Sequence, residues 1–458
     1  MIADLKPYPK YKESGLPWLG KVPEHWAINR TKSSVANIVE QTTQINSGDV
    51  YVALENIESW TGRVRPQQGV NLFTGQVKRF CSEDVLFGKL RPYLAKVARL
   101  QSNGVCVGEL FVLRPRDASI RSNFLELQLR AKHTIDVVSS STFGAKMPRA
   151  DWQFLGNLPL VFPSPGEQAA IVRFLDWANG RLERAIRAKR KVIALLTEQK
   201  QAIIHRAVTR GLDPSIPLKP SGIPWLGDIP QHWEALRAKY LYREVDERSI
   251  DGSEELLSVS HLTGVTPRSQ KNITMFKAAS YVGHRLCRPG DLVVNTMWAW
   301  MGALGVSAHA GIISPAYAVY RPLRPECIVA IYMDGLLRSM PYVSNIICRS
   351  TGLRASRLRL YPEEFFRLPV IQPPANEQQQ IVQAIQGETA NLKTSISRLE
   401  REIELLLEYR TRLVADVVTG KLDVREAAAR LPEDASPKAP IPAEDLLSEA
   451  EPEPEAVE

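Results

Sequence analysis

The sequence lacks the features that mark secreted and membrane proteins. Its five cysteines lie far apart and none forms a CxxC pair, so reduced thiols are expected at Cys81, Cys106, Cys287, Cys327 and Cys348. No apolar run is long enough to span a bilayer. The N-terminal stretch MIADLKPYPKYKESG has no apolar secretion signal. These absences predict a cytoplasmic protein without membrane contact.

Catalytic and metal-binding motifs are missing as well. There is no GxxxxGK[ST] phosphate loop, no GxGxxG fingerprint, and no HExxH or Cys/His zinc spacing among the seven histidines. Residues 314–317, SPAY, are similar to the NPPY tetrapeptide of amino-methyltransferases, but they lack its leading Asn/Asp and second proline, and no glycine-rich loop precedes them. We therefore predict a non-enzyme, with no catalytic, cofactor-binding or metal-binding residues and no cofactor of its own.

The net charge of +8 is unevenly distributed along the 458 residues. Residues 432–458 hold nine acidic groups and one lysine, giving −8. Residues 1–431 therefore hold 57 basic and 41 acidic groups, giving +16. A basic body indicates a polyanionic partner. The Pro/Glu-rich tail is predicted to be disordered, and the length of the remainder requires two or more domains.

An internal repeat dominates the sequence. SGLPWLGKVPEHW (Ser14–Trp26) and SGIPWLGDIPQHW (Ser221–Trp233) share nine of thirteen positions at an offset of 207. Later, at an offset of 210, LPLVFPSPGEQAAIV (Leu158–Val172) matches LPVIQPPANEQQQIV (Leu368–Val382). The chain is thus a tandem of two copies, each too long for a solenoid repeat. The middles, 27–157 and 234–367, have diverged, which indicates either one scaffold reading two targets or a duplicated domain that drifted.

Each copy ends in a long predicted helix. Ser164-Pro165-Gly166-Glu167 is typical of a helix start with a capping box, and Gly211 of a stop. The first apolar stripe is Ile171, Leu175, Ala178, Leu182, Ala185, Val192, Leu196 and Ile203, interrupted by Lys189 and Gln199. The second, between Pro373-Pro374 and Gly420, is Ile381, Ile385, Leu392, Ile396, Leu399, Ile403, Leu406, Leu413 and Val417. We expect the stripes to pack together as an antiparallel pair; the alternative is that each packs on its own domain.

The globular parts combine short strand-like runs with helices. Strands are predicted at 49–54, 85–87, 109–113, 291–294 and 316–320, and helices at 122–138 and 326–337. This predicts an α/β (α+β) fold with a mixed sheet in each copy. The PWLG..P.HW motif, with Trp18, Trp26, Trp225 and Trp233, is interpreted as pinning the segment that precedes each domain.

Loop-like stretches with small, aromatic and basic residues are the candidate DNA contacts. Small residues permit close approach to the duplex, and Arg and Lys contact phosphates and guanine edges. Solvated surface charge is the alternative for each of them. The candidates are Lys89, Arg91, Tyr93, Lys146 and Arg149 in the first copy, and Asn295, Trp298, Trp300, Arg349, Arg354, Arg357 and Arg359 in the second.

The doubled SG.PWLG..P.HW frame, with a diverged domain and then LP…P…EQ..IV and a long helix in each copy, resembles the specificity subunit of type I restriction-modification systems. The resemblance extends to about Asp423. It implies target-recognition domains at 1–162 and 212–372 and long helices at 163–211 and 373–420. Residues 421–458 are assigned to the acidic Pro/Glu-rich tail, and the part after Arg430 lies outside the resemblance.

The resemblance also implies a function and partners. Each domain would read half of a split, asymmetric site on double-stranded DNA, and the helices would set the gap. Two modification subunits would supply S-adenosylmethionine and adenine methylation, and restriction subunits would supply ATP-driven translocation and Mg-dependent cleavage. Two other functions remain open: a single-chain restriction or methyltransferase enzyme with fused recognition domains, and a coiled-coil scaffold that binds no DNA.

Overall fold

The computed structural model describes residues 5–46, 48–65, 75–142, 147–270, 280–352 and 358–432. These form two compact units, unit 1 (Met1–Lys189 with Arg401–Glu458) and unit 2 (Arg190–Glu400). The strands, numbered in chain order, are β1 Tyr11–Glu13, β2 Lys21–Pro23, β3 Ala27–Arg30, β4 Val35–Ile38, β5 Gln41–Thr42, β6 Val50–Val52, β7 Val77–Phe80, β8 Val85–Gly88, β9 Val97–Arg99, β10 Gly104–Cys106, β11 Leu110–Pro115, β12 Pro159–Phe162, β13 Leu218–Pro220, β14 Asp228–Pro230, β15 Glu234–Arg237, β16 Tyr242–Val245, β17 Leu257–Ser260, β18 Gly264–Pro267, β19 Arg285–Cys287, β20 Leu292–Val294, β21 Leu304–Val306, β22 Gly311–Ile313, β23 Ala318–Pro322 and β24 Pro369–Gln372. The helices are α1 Thr31–Ser34, α2 Ser122–Arg130, α3 Lys132–Ser140, α4 Trp152–Asn157, α5 Pro165–Arg210, α6 Ala330–Leu337, α7 Met340–Arg349, α8 Pro362–Phe366, α9 Ala375–Val418 and α10 Arg425–Ala429. No described helix has a stretch both long and apolar enough to cross a membrane.

Unit 1 is built on two four-stranded sheets. One, ordered β4-β11-β8-β9, is antiparallel; the other, ordered β5-β7-β10-β6, is mixed because β10 pairs in parallel with β6. Side chains alternate between the faces of a strand. On β11, Phe111 and Leu113 join the core cluster that includes the helices, while Leu110 and Val112 join a second cluster with residues of the other sheet. Burial on both faces explains why this segment is an uninterrupted apolar run.

Unit 2 repeats the first of these sheets and changes the second. The antiparallel order β16-β23-β20-β21 corresponds to β4-β11-β8-β9, and the pairs β13-β14 and β15-β24 correspond to β1-β2 and β3-β12. In place of the mixed sheet stand the hairpin β17-β18 and the pair β19-β22. An isolated parallel bridge between Leu256 and Ile312 is what remains of the β6–β10 pairing. The diverged sequence of the two middles therefore corresponds to a diverged second layer.

The two long helices run antiparallel. In unit 1 the start of α5 (Phe174, Leu175, Ala178) shares a core with the end of α9 (Leu413, Val417). In unit 2 the order is reversed, since the end of α5 packs in the same core as the start of α9, represented by Ala207, Val208, Ile381 and Val382. This confirms the predicted helix pair, and it shows that each helix stripe packs on the domains as well.

The seam between the helices differs from the predicted stripe in its middle. Val192, predicted to be inside, is 44% exposed, and the partly buried neighbour is Ile193. Gln199 is exposed, whereas Lys189 belongs to the seam, where its Nζ lies 2.5 Å from Glu402 Oε2. The apolar pattern marked Lys189 only as an interruption. A half-buried lysine can nevertheless lie in the seam when a carboxylate on the partner helix faces it.

Two predicted helices are shorter than expected. The predicted helix at 122–138 is broken at Ala131, whose ψ of 140° ends α2 before α3 begins. The predicted helix at 326–337 begins only at Ala330, because Pro325–Cys327 form a separate 3-10 turn. In both places the apolar spacing continues across the break, so periodicity alone joined two elements.

The repeated His-Trp pair and the repeated Glu-Gln pair hold each domain to its long helix. The Glu167 carboxylate accepts hydrogen bonds from Tyr8 Oη (2.6 Å) and Trp26 Nε1 (3.1 Å), and lies 2.9 Å from His25 Nε2. Glu377 does the same in unit 2, with Trp233 Nε1 at 3.0 Å and His232 Nε2 at 2.7 Å. The predicted capping box is therefore half wrong: Glu167 N donates to Ser164 Oγ at 3.4 Å, but the carboxylate serves the distant motif.

The glutamine after each of these glutamates, Gln168 or Gln378, holds the segment that precedes α2 or α6 by hydrogen bonds. Gln168 Nε2 donates to Ser119 O and its Oε1 accepts from Arg121 N, both at 2.8 Å. Gln378 makes the equivalent bonds to Cys327 O (3.0 Å) and Val329 N (2.8 Å). Both glutamine side chains are fully buried, so these bonds satisfy polar groups that water cannot reach.

The carboxyl ends of the long helices finish on the same motif. Gly211 and Gly420 adopt left-handed φ values of 74° and 77°, as a helix-terminating glycine does. A Cβ on Gly420 would overlap the Pro23 ring and lie 3.2 Å from Trp26. Gln128 Nε2 donates to Val418 O in unit 1 (2.7 Å), and Tyr332 Oη donates to Val208 O in unit 2 (2.9 Å). The carbonyls left over at each helix end are thus capped by domain side chains.

Candidate nucleic-acid interface

In unit 1 two of the predicted contact loops lie side by side. One follows β8 from Lys89 onward, and the other is the segment that leads into α4. Leu90 and Arg149 form an antiparallel bridge, Ala150 N donates to Lys89 O at 2.8 Å, and Arg91 N donates to Pro148 O at 2.8 Å. Candidates that are about sixty residues apart in the sequence therefore form one surface.

The backbone of the first loop turns its side chains outward. Arg91 has a left-handed φ of 48°, which is uncommon for a residue other than glycine, and Pro92 begins a 3-10 turn directly after it. Arg91 is exposed, and Tyr93 is 48% exposed. Strained backbone of this kind is found where a loop must present side chains in one particular direction.

Lys89 is a half-buried cation of this surface. Its Nζ donates to Gly108 O at 2.5 Å and lies 4.9 Å from the centre of the Phe111 ring. Burial, together with the neighbouring Lys78 ammonium, lowers the pKa of Lys89 to about 8. The neighbouring lysine, Lys78, was not among the contact residues predicted from the sequence. Lys78 is only 7% exposed, and its Nζ donates to Leu110 O at 2.9 Å.

One carboxylate accompanies these cations. Arg149 Nη2 donates to Glu109 Oε1 at 2.6 Å, while Glu109 Oε2 is buried without a hydrogen-bond partner in the structure. Arg149 keeps 57% of its side chain exposed. Arg91, Arg149 and the half-buried Lys89 therefore form the accessible part of this cluster, with Lys78 buried beneath them and Glu109 paired with Arg149. Cations of this kind are suited to contact with phosphate.

Unit 2 builds the same junction from different residues. Leu360 N donates to Thr296 O at 2.9 Å. Thr296 corresponds to Lys89 at the offset of 207, and Leu360 to Ala150 at the offset of 210, so this bond repeats the Ala150–Lys89 bond. Arg359 is exposed beside it and pairs with Thr351 in a short antiparallel bridge. The loop after β20 and the segment before α8 thus meet as their counterparts do in unit 1.

In unit 2 the positions of Lys89 and Arg91 carry no cation, and two tryptophans form this part of the surface. Trp298 and Trp300, at the positions of Arg91 and Tyr93, stack with ring centroids 5.9 Å apart and an interplanar angle of 17°. Both are partly exposed, and Trp300 Nε1 donates to Met297 O at 2.9 Å. A rigid pair of aromatic faces suits contact with bases or with a thymine methyl group rather than with phosphate.

The remaining predicted DNA-contact residues differ in how far their side chains are free to contact DNA. Asn295 is 5% exposed and its side chain accepts from Met297 N, so it shapes the turn before the tryptophans. Arg349 bonds Asn345 and lies 3.3 Å from Glu364, within the domain. Lys146, Arg354 and Arg357 lie outside the described residues. All twelve assignments remain predictions.

Among the residues that the structure describes, no group of three or more His, Cys, Asp or Glu side chains is arranged to hold a metal ion.

Comparison with known proteins was made in sequence and in structure. No family model matches the chain. It is 23% identical over 193 residues to the type I restriction enzyme EcoDI specificity subunit of Escherichia coli, an alignment that covers 41% of this chain and 43% of that relative, and so less than half of each.

A solved structure described as "Structural basis underlying complex assembly and conformational transition of the type I R-M system" superposes with a TM-score of 0.59 at 18% identity, covering 88% of this chain and 99% of the other. The resemblance to type I specificity subunits is confirmed. A crystal structure of the HsdS subunit from Thermoanaerobacter tengcongensis also covers 88% of this chain and 98% of that chain at 18% identity, with a TM-score of 0.40. The specificity-subunit fold confirms the predicted fold class, with its tandem repeat and its antiparallel helices.

Proposed function

We propose that this chain is the DNA-recognition subunit of a type I restriction-modification complex, and that each unit reads one half of a split target. The repeated junction is the observation that supports this most directly. In both units the loop after the inner strand, β8 or β20, is hydrogen-bonded to the segment that returns to the long helix, through Lys89 and Ala150 or Thr296 and Leu360. Different side chains are therefore held at equivalent positions of the two units.

The chemistry of the two junctions supports an asymmetric target. The first presents Lys89, Arg91 and Arg149, cations that contact phosphates and the O6 and N7 edge of guanine. The second presents the stacked Trp298 and Trp300 with Arg359 beside them. Because arginine and tryptophan favour different base edges, the two half-sites should differ in sequence.

The catalytic steps belong to partner subunits in this proposal. Two modification subunits would supply S-adenosylmethionine and adenine methylation, and restriction subunits would supply ATP, Mg and cleavage. This chain would bind double-stranded DNA and position those subunits, without a cofactor of its own. We expect a subunit with this role to act in the cytoplasm.

The helices would set the distance between the half-sites. The register of an antiparallel pair depends on which seam residues face each other, and Lys189 with Glu402 is a polar pair that is satisfied in one register only. Inserting seven residues between Lys191 and Glu198 should lengthen the spacer or abolish activity. The same complex with an unchanged spacer and full activity would contradict the ruler role. Methylated adenines mapped in genomic DNA give the readout.

A domain exchange tests the two-reader model. Replacing residues 27–157 by the first middle of another specificity subunit should change one half-site and leave the other intact. The matched exchange of residues 234–367 should change the other half. If either exchange altered both halves together, the assignment of one half-site to each unit would be wrong.

Single substitutions test the junctions. In the assembled methyltransferase, Arg91→Ala should lower affinity for cognate DNA by about 5–150-fold if it reads a base edge, which corresponds to about 1–3 kcal/mol. If it touches only phosphate, the loss should be uniform across duplexes and the salt slope should fall by about one unit. Arg30→Ala, an exposed arginine elsewhere in unit 1, is the control. Wild-type affinity and salt slope for Arg91→Ala, Arg149→Ala and Trp298→Ala alike would remove both junctions from the interface.

The two alternative functions have their own test. The purified chain, incubated with S-adenosylmethionine, ATP and Mg, should neither methylate nor cleave DNA, and adding modification subunits should restore methylation. Methyl transfer by the chain alone would establish the fused-enzyme alternative. Assembly with modification subunits that brings no salt-dependent DNA binding would establish the scaffold.

A further inference from the structure

A row of arginines lies along the first half of α5. Arg173, Arg181, Arg184 and Arg187 all belong to unit 1. At 100° per residue they fall within an arc of about 120° on one side of the helix, and at 1.5 Å per residue they span about 21 Å. Arg173, Arg181 and Arg184 are exposed and Arg187 is partly buried. We call these four residues the α5 arginine row.

The row has no carboxylate partner within the described part of the chain. Arg181 lies over the Trp177 ring at 5.2 Å, and Arg173 bonds backbone carbonyls. Neither acidic residue of the same helix segment pairs with the row among the described residues. Glu183 lies 2.5 Å from Arg63 and 3.8 Å from Arg410, and burial raises the pKa of Asp176 to about 6. The row is thus a concentrated positive charge that its own domain leaves unbalanced.

The end of the described chain is fastened to this row. After α10, with Ala427 and Ala428 in the core, Arg173 Nη2 donates to Leu431 O (2.9 Å) and Pro432 O (3.1 Å). The acidic segment, residues 433–458, begins at that point and carries nine carboxylates and one lysine. A segment of 26 residues can reach up to about 85 Å, so it is long enough to extend along the whole row.

We propose that the acidic segment binds the α5 arginine row of its own molecule and keeps other polyanions away from this face. Each exposed Arg–carboxylate pair is weak on its own. Several such pairs act together, and the tether at Pro432 gives the carboxylates an effective concentration in the millimolar range. The attraction is screened by salt, because the Debye length is about 10 Å at 0.1 M. This inference does not depend on the proposed DNA recognition, since it concerns only residues of this chain.

Arginine footprinting of the full-length chain tests the proposal. Phenylglyoxal modification, followed by mass spectrometry, reports the reactivity of each arginine. The test variant replaces all nine acidic residues of 433–458 by their amides and keeps the chain length. At low ionic strength the row arginines should react about three- to fivefold faster in this variant than in the wild type, as expected from about 0.7–1 kcal/mol of lost protection. Arg30 and Arg116, exposed arginines of the same unit, should react equally in both.

The remaining outcomes decide against the proposal. Equal reactivity of the row in both proteins at low salt would overturn it. Protection that increases with protein concentration would assign the contact to a second copy. Protection that requires added duplex DNA, and is the same in both proteins, would assign the row to DNA. A difference that is present at low salt and lost by about 0.5 M salt is the supporting result.

Discussion

Glu167→Ala should lower the free energy of unfolding of unit 1 by about 2–6 kcal/mol. The Glu167 side chain is only 5% exposed and accepts from Tyr8, which is 3% exposed, and from Trp26, which is fully buried. Removing the acceptor leaves two buried donors unsatisfied, at about 1–3 kcal/mol each. His25 adds little, because 47% of its side chain is exposed and water can replace the carboxylate.

The second copy offers a matched comparison. Glu377 has one buried donor, Trp233, and its other partner His232 is 42% exposed. Glu377→Ala should therefore cost about 1–3 kcal/mol, less than Glu167→Ala. Glu167→Gln retains an acceptor oxygen of similar size, and it should fall between the wild type and Glu167→Ala.

Urea unfolding followed by tryptophan fluorescence gives the measurement, and its slope should stay constant while the midpoint moves. Glu24→Ala, at an exposed position of unit 1, should remain within about 0.5 kcal/mol of the wild type. If Glu167→Ala also stays within that range, or if Glu377→Ala proves the more costly of the two, the reasoning from buried donors is refuted.

Three further predictions concern conformation and charge. Gly420→Ala should lower the free energy of unfolding by about 1–3 kcal/mol, because the φ of Gly420 is 77° and the new methyl group would meet Pro23. Gly387→Ala, in open space within α9, should raise it by about 0.5–1 kcal/mol; urea unfolding measures both variants, and equal effects would contradict the argument. Burial lowers the pKa of His133 to about 4, so as the pH falls the unfolded state binds a proton at this histidine before the folded state does. The free energy of unfolding should therefore fall by about 2–3 kcal/mol between pH 6.5 and 4. The fall should be absent in His133→Gln, and a fall of the same size in that variant would come from another group. Burial and the neighbouring Lys78 lower the pKa of Lys89 to about 8, so Lys89 should lose most of its charge between pH 7 and pH 9, and the DNA-binding salt slope should fall by about 0.7 unit if Lys89 contacts a phosphate. Lys89→Met should show no such change, and an equal change in the variant would exclude Lys89 as its origin.

The extent of the long helices could be predicted from the sequence because local chemistry determines where a helix begins and ends. Pro165 at the first turn and Gly211 after the last are requirements of one helix, whatever it packs on. Membership of the seam was less predictable. Val192, predicted to lie in the seam, is exposed, whereas Lys189, predicted to interrupt the apolar stripe, lies in the seam and pairs with Glu402. A seam position is defined by the facing helix, and Glu402 lies more than two hundred residues away in the chain.

The candidate site shows the same division. The loops at 89–93 and 147–149 could be recognised separately by their small and basic residues, but their contact through Leu90 and Arg149 is a product of the fold. Lys78 was missed because it lies inside a strand, and a lysine in a strand has no local signal of burial. Lys78 adjoins Lys89, whose pKa is lowered first by burial and then by the Lys78 ammonium.

The sequence by itself determined the tandem plan, the two long helices, the short strands and the uneven charge, because repetition, periodicity and composition are properties of neighbouring residues. Only the tertiary structure decided what the repeated polar residues do. Glu167 could be interpreted locally as part of a helix cap, yet Glu167 and Glu377 each accept from a histidine and a tryptophan more than a hundred residues earlier. A buried carboxylate bonds whichever donors the fold brings to it, and that choice is made when the long helix packs against its domain.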